Sequence, residues 1–204
     1  LKSSLNLRED QLTVKPNFVE RKISSFIRNQ EYFVYIGRLS DEKGILQLLD
    51  AIAPTKHTIH IYGTGPLQAE VEEYAHMYPH IVYKGFQSSE LLQDALFNSK
   101  ALIVPSVCYE GMPMTVLEAF ALGTPVIASD IGILAQLAVP SQTGLLFDPF
   151  NSDSIIHALN TWENLDSNQK DLMRKNCVAI YNSNYTKASN ITLLENTYRN
   201  IITY

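Results

Sequence analysis

Between residues 32 and 147, short apolar runs alternate with longer stretches in which apolar residues recur at helical spacing. The runs are Tyr32 to Gly37 (YFVYIG), His57 to Tyr62, Ile81 to Tyr83, Ala101 to Val104, Pro125 to Ala128 and Gly144 to Phe147. Their β-branched and aromatic content, bounded by Gly, Pro and polar residues, predicts buried strands. The periodic stretches predict helices. One is carried by Ile45, Leu46, Leu48, Leu49 and Ile52; a second runs from Leu67 to Met77 with Pro66 suited to its first position; a third spans Ser88 to Asn98. A fourth spans Thr115 to Leu122, where Gly123 stops it, and a short fifth lies near Ile133 to Leu137. Strands alternating with helices imply a parallel sheet covered on both faces.

Outside that region the pattern changes. Residues 1 to about 30 are polar and irregular, with Pro16 and Asn17 as a turn signal, and read as a linker holding one short strand at Leu12 to Lys15. After Asp148 and Pro149 the chain reads as helices over Ser152 to Trp162, Asn168 to Tyr181 and Thr186 to Ile202, the last amphipathic through Ile191, Leu194, Tyr198 and Ile201. The fold class is therefore α/β: a Rossmann-like, doubly wound parallel sheet with helices on both faces and a helical C-terminal tail.

Composition narrows the function classes. A chain of 204 residues suits one domain, and 46% apolar with 18% charged residues is ordinary for a globular one. The net charge of −5, with no stripe of Lys and Arg, argues against a nucleic-acid binder but leaves room for a small anionic ligand. Cys108 and Cys177 are too few for a metal site and not closely spaced, which fits a reduced, cytoplasmic compartment. His57, His60, His76, His80 and His157 are scattered without metal-ligand spacing. No apolar run approaches the roughly 18 to 20 residues of a membrane span, and the opening LKSSLNLRED reads as mid-protein sequence rather than a signal peptide. The glycosylation-type triplets at Asn184 and Asn190 are taken as chance.

In doubly wound sheets ligands bind beyond the carboxyl ends of the strands. The loop after the first strand, Gly37 to Gly44, carries Arg38 and Lys43, a planar donor fork and a point charge that suit a diphosphate or else are ordinary surface charges. Gly63, Thr64, Gly65 and Pro66 resemble the start of a dinucleotide fingerprint, but Gln68 stands where its third Gly belongs. Those glycines permit close approach of a ligand, or merely a tight turn. After the fourth strand, Glu110, Gly111 and Pro113 precede a helix whose first N–H groups offer an anion site. Glu118 can flank a ligand there, or cap its own helix through a Thr115-x-x-Glu118 capping box; Glu110 can be a loop carboxylate near the dipole. Cys108 beside them is either buried or incidentally reactive.

Taken jointly, GRLSDEKG (Gly37 to Gly44), YGTGP (Tyr62 to Pro66) and PSVCYEGMPMTVLEAFALGTPVIAS (Pro105 to Ser129) closely resemble retaining glycosyltransferases of the GT-B fold. The seven-residue gap between Glu110 and Glu118 looks like the E-x7-E motif of the large family of bacterial mannosyl-, glucosyl- and galactosyltransferases acting on lipids and polysaccharides. The resemblance covers residues 1–204 as that family's C-terminal, donor-binding domain. Pro16, Asn17, Phe18, Val19 and Glu20 resemble its interdomain Pro-Asn-Gly-Val-Asp linker, with Phe18 in place of Gly, so that residues 1–20 become a linker region. Residues 183–204 resemble the closing helix that crosses back towards an N-terminal domain.

The resemblance implies that Arg38 and Lys43, with Gly37, Gly63 and Gly65 around them, grip the diphosphate of a UDP-sugar or, alternatively, a GDP-sugar. Phe86 and Gln87 lie beside the base and Glu118 holds the ribose hydroxyls. Glu110, with the backbone donors of Gly111, Met112, Pro113 and Met114 and with Thr115, contacts the donor sugar and distal phosphate. Catalysis then falls to Glu110, Arg38 and Lys43, without a metal or other cofactor, and with retention of anomeric configuration. The expected partners are the nucleotide sugar, a glycan or lipid-linked acceptor, and the N-terminal half of the same protein, without which this chain is inactive. A full-length protein acting on lipid-linked acceptors would sit peripherally at the inner face of the membrane. The alternatives are a sugar-nucleotide epimerase of related fold and a non-catalytic binding or assembly domain.

Overall fold

A computed structural model of the chain describes residues 12–21 and 31–202. Six strands form one sheet: β1 (Phe33–Ile36), β2 (Ile59–Tyr62), β3 (Ile81–Gly85), β4 (Leu102–Val104), β5 (Val126–Ser129) and β6 (Gly144–Phe147). Their order is β3-β2-β1-β4-β5-β6, and every neighbouring pair is parallel. The helices are α1 (Ile45–Ile52), α2 (Gln68–Met77), α3 (Ser89–Asn98), α4 (Met114–Ala121), α5 (Gly132–Leu137), α6 (Ser152–Asn164), α7 (Ser167–Asn184) and α8 (Lys187–Ile202). The doubly wound α/β sheet with its helical tail is the architecture that the alternation of runs implied.

The strands read as continuous apolar runs because both faces of the sheet are buried. Successive side chains point to opposite faces, and the two core clusters divide accordingly. Phe33, Tyr35, Ile103 and Ile127 join Leu48, Leu49 and Trp162 on one side. Val34, Leu102, Val104, Val126 and Ala128 join Leu96, Leu117, Phe120 and Cys177 on the other. Truncating fully buried Leu117 to Ala would cost about 2–5 kcal/mol, since the neighbours cannot all collapse into the void.

Several local expectations are corrected. Leu12 to Lys15 forms no strand; residues 12–21 have no regular secondary structure, and the rest of the linker lies outside the described residues. The segment is instead pinned by side chains. Asn190 Nδ2 donates to the Pro16 carbonyl at 2.6 Å, Lys15 Nζ donates to Asn190 Oδ1 at 3.0 Å, and Tyr181 donates to the Val19 carbonyl at 3.0 Å. Asn190 is thus a buried hydrogen-bonding hub. Pro66 sits in the turn before α2, whose N-cap is Leu67, rather than at the first helical position. The apolar stripe of α8 is left exposed at Ile191, Leu194, Tyr198 and Ile201.

Candidate functional site

In the observed order β1 and β4 are neighbours, yet the chain leaves β1 towards β2 and leaves β4 towards β5. The two exits diverge and open a crevice over the carboxyl ends of these strands, the switch point at which such sheets bind ligands. Each wall of the crevice comes from a loop held by specific backbone contacts. In the β1 loop, Tyr35 donates its hydroxyl to the Arg38 carbonyl at 2.6 Å, while Leu39 N–H donates to the Thr64 carbonyl and Leu67 N–H to the Leu39 carbonyl, both at 3.0 Å. A Cβ on Gly63 would meet the Gly37 carbonyl oxygen at 1.9 Å, and one on Gly65 the Leu39 carbonyl oxygen at 2.2 Å. The close approach that these glycines permit is therefore first of all to the chain's own β1 loop.

The β1 loop is also stitched to the β4 loop. Asp41–Lys43 forms a 3-10 turn ended by Gly44 in the left-handed region, with φ 66°, and a Cβ there would lie 1.9 Å from the Pro105 carbonyl oxygen. Val107 N–H donates to the Glu42 carbonyl at 3.1 Å. These contacts bring together Lys43 and Glu110: Lys43 Nζ lies 2.6 Å from Glu110 Oε1, and the same oxygen accepts the hydroxyl of buried Ser106 at 2.6 Å. Burial, with the charges of Glu110 and then Glu42, pushes the Tyr35 phenol up, so it remains a neutral donor. Glu42, by contrast, is held below the usual carboxyl range, chiefly by the Ser40 hydroxyl.

Two adjoining hollows occupy the crevice. The larger, about 450 Å³, is lined by Gly37, Arg38, Gly63, Gly65, Phe86 and Gln87 together with Ile36, Tyr62, Thr64 and Leu92. The smaller, about 230 Å³, is lined by Lys43, Ser106, Glu110, Pro113, Met114 and Thr115 above Tyr35 and the end of β4. Ile36, Gly37 and Arg38 line both, so the exposed Arg38 stands at their seam. Among the described residues Arg38 forms no ion pair, whereas Lys43 is neutralised by Glu110.

Most residues singled out in the sequence converge here, but three stand apart from these two hollows. Gly111 is exposed with open space around its Cβ position, and Met112 packs against the second core cluster. Glu118 lines a shallow depression with Val19, Glu20, Arg21 and Gln93. Its carboxyl is raised by desolvation. The capping box does not form: α4 begins at Met114 with Pro113 as N-cap, which places Thr115 inside the helix and makes Glu118 too distant to reach back. The motif forms instead between Asp166 and Gln169 at the start of α7. Pro113 has no N–H, so it cannot be one of the backbone donors; Met114 and Thr115 supply the unpaired amides of the first turn. Ser106 was missed although it lies in the quoted motif, four residues before Glu110 and at the polar end of an apolar strand. Among the described residues no group of three or more His, Cys, Asp or Glu is placed to hold a metal ion.

A Rossmann-like sheet with a two-part crevice at its switch point has the arrangement in which doubly wound α/β domains bind their ligands. Comparison with known proteins narrows this. The family described as glycosyl transferases group 1 matches residues 17–177, and the chain belongs to that family. It is similar to the putative teichuronic acid biosynthesis glycosyltransferase TuaC of Bacillus subtilis, 31% identical over 137 residues that cover 66% of this chain and 33% of that protein. It is also similar to the lipopolysaccharide 1,6-galactosyltransferase of Salmonella typhimurium, 32% identical over 138 residues that cover 63% of this chain and 38% of that one. The chain thus spans about a third to a half of the length of the curated relatives it matches. Among solved structures it shares its fold with the apo form of the outer core galactosyltransferase WaaB, with a TM-score of 0.76 at 24% identity over 97% of this chain and 58% of that one. An Anabaena protein, HepE, solved with UDP and glucose, has a TM-score of 0.72 at 20% identity over 86% of this chain and 49% of that one.

Proposed function

We propose that this chain is the donor-binding half of a retaining glycosyltransferase, and that its switch-point crevice holds a nucleoside diphosphate sugar, UDP-linked in preference to GDP-linked. The observation that carries this reading is the convergence of Arg38, the Lys43 and Glu110 pair and the first turn of α4 around one two-part hollow. The larger hollow, flanked by Phe86 and Gln87, takes the nucleoside. The diphosphate lies at Arg38 and Lys43, and the sugar reaches Glu110.

Breaking the bond between sugar and phosphate develops negative charge on the leaving diphosphate. Arg38, Lys43 and the Met114 and Thr115 amides are preorganised donors for that charge, so the reading needs no metal ion. Glu110, already accepting from Lys43 and Ser106 through one oxygen, fits a binding and orienting role better than that of a free nucleophile. Configuration is then retained by attack of the acceptor hydroxyl on the same face, its proton passing to the departing phosphate. Most of the acceptor wall belongs to an N-terminal half of the protein, and the exposed stripe of α8 is available to meet it. By itself the chain binds nucleotide without turning it over. We place the complete protein in the cytoplasm, at the inner face of the membrane when its acceptor is lipid-linked.

Isothermal titration of the chain with UDP, GDP and their hexose conjugates tests the reading. Saturable binding of at least one nucleotide is expected. A chain that binds none of them is not a donor domain.

A further inference from the structure

We propose that Tyr109 is a platform for the acceptor, holding the apolar face of a pyranose ring beside Glu110; this rests on the donor reading above. Tyr109 is supported by the backbone at the start of α5. At Gly132, which opens α5 with a φ of 55°, a Cβ would meet Tyr109 Cδ1 at 2.7 Å and Cε1 at 3.3 Å. The phenol ring therefore lies directly on the Gly132 backbone. Even so, Tyr109 is 83% exposed. An aromatic side chain left in water to this degree forgoes the stabilisation of burial, and the contact with Gly132 leaves most of its ring open to a ligand.

Its place along the sheet edge specifies what it can hold. The larger hollow lies over β1, β2 and β3, and the smaller over β1 and β4. Tyr109, on the loop after β4, and Gly132, at the start of α5 after β5, follow on the far side of Glu110 from Phe86. Tyr109 lines neither hollow. A donor laid with its base at Phe86 and its diphosphate at Arg38 ends at Glu110, so the next group to be positioned is the acceptor. One face of a pyranose presents C–H groups polarised by adjoining oxygens, and these are complementary to the electron-rich face of a phenol ring, while the hydroxyls stay in water. The ligand class is a glycoside rather than a free lipid or a peptide.

Saturation-transfer NMR on the chain, with its nucleotide saturating, tests this using the methyl glycosides of glucose, galactose, mannose and N-acetylglucosamine. At least one should receive saturation. That transfer should fall by about fivefold or more in Tyr109→Ala and persist in Tyr109→Trp, with nucleotide affinity within about twofold of wild type in both. Retained nucleotide binding also shows that the variants are folded. Equal transfer to wild type and Tyr109→Ala would overturn the proposal, as would no transfer to any glycoside in nucleotide-bound wild type. Loss of affinity for the sugar nucleotide in Tyr109→Ala, with glycoside transfer unchanged, would assign the ring to the donor and overturn it equally. A wild-type chain that binds no nucleotide defeats the donor reading in the titration itself, and this proposal with it.

Discussion

Lys43 Nζ and Glu110 Oε1 stand 2.6 Å apart across the switch point, joining the loop after β1 to the loop after β4. The pair is partly shielded, with side-chain exposures of 32% and 13%, and Ser106 donates to the same carboxylate oxygen. It holds Lys43 in the crevice before any anion arrives and cancels that charge locally, whereas Arg38 forms no ion pair among the described residues.

A double-mutant cycle follows from this pairing. Lys43→Met leaves a carboxylate beside the diphosphate position and should weaken nucleotide binding by about tenfold or more. Glu110→Gln removes a negative charge and should bind nucleotide at least as tightly as wild type. The double variant should recover part of the loss, with a coupling of about 1 kcal/mol measured by titration calorimetry. Additive effects would mean that the two groups act on the ligand separately.

Arg38 at the seam of both hollows should be the most sensitive position. Arg38→Ala is expected to lose about 10- to 100-fold in nucleotide affinity, and Arg38→Lys to recover only a part, because a point charge cannot reproduce the planar donor fork. Binding by the alanine variant that matches wild type would remove Arg38 from the site.

The glycines of the crevice should separate into two kinds. Gly44→Ala places a Cβ 1.9 Å from the Pro105 carbonyl oxygen at a φ of 66°. Relief requires the two loops to part, so a loss of more than about 3 kcal/mol is expected in urea unfolding. Gly111→Ala meets nothing within 4 Å and should unfold like wild type. Equal stabilities would show that the loops are not locked as described.

Glu118 provides a pH test. Desolvation raises its carboxyl in the folded state, and no hydrogen-bond partner offsets this among the described residues. A raised folded value means that the group's contribution to stability is present in full below its unfolded pKa and is lost as pH rises through the folded one. Glu118→Gln should therefore melt about 1–3 °C higher than wild type near pH 7, and the gain should vanish by about pH 4. A gain that persists or grows in acid would contradict the assignment.

Much of the fold was legible because a strand buried on both faces must be apolar throughout, and the YFVYIG run and its successors advertise this without reference to any partner. The candidate site was legible in composition but not in arrangement. Arg38, Lys43 and Glu110 are recognisable as residue types in loops, whereas the pairing of Lys43 with Glu110 depends on β1 and β4 being neighbours. Thr115 and Glu118 show the limit from the other side. Their spacing satisfies the capping-box pattern, but the N-cap falls at Pro113, two residues before Thr115, and the pattern goes unused. Tyr109 carried no sequence signal at all, since an aromatic residue in a loop reads equally well as buried.

By itself, then, the sequence determined the alternation of strands and helices and the kinds of side chain placed at the strand ends, because hydrophobic periodicity and turn chemistry are local properties of the chain. The tertiary structure decided which loops face one another, that Gly63 and Gly65 serve the chain's own backbone, that Glu118 lies by the linker and that Tyr109 rests on Gly132 in the open. Those outcomes depend on strand order and on contacts between residues far apart in the chain, which no local pattern encodes.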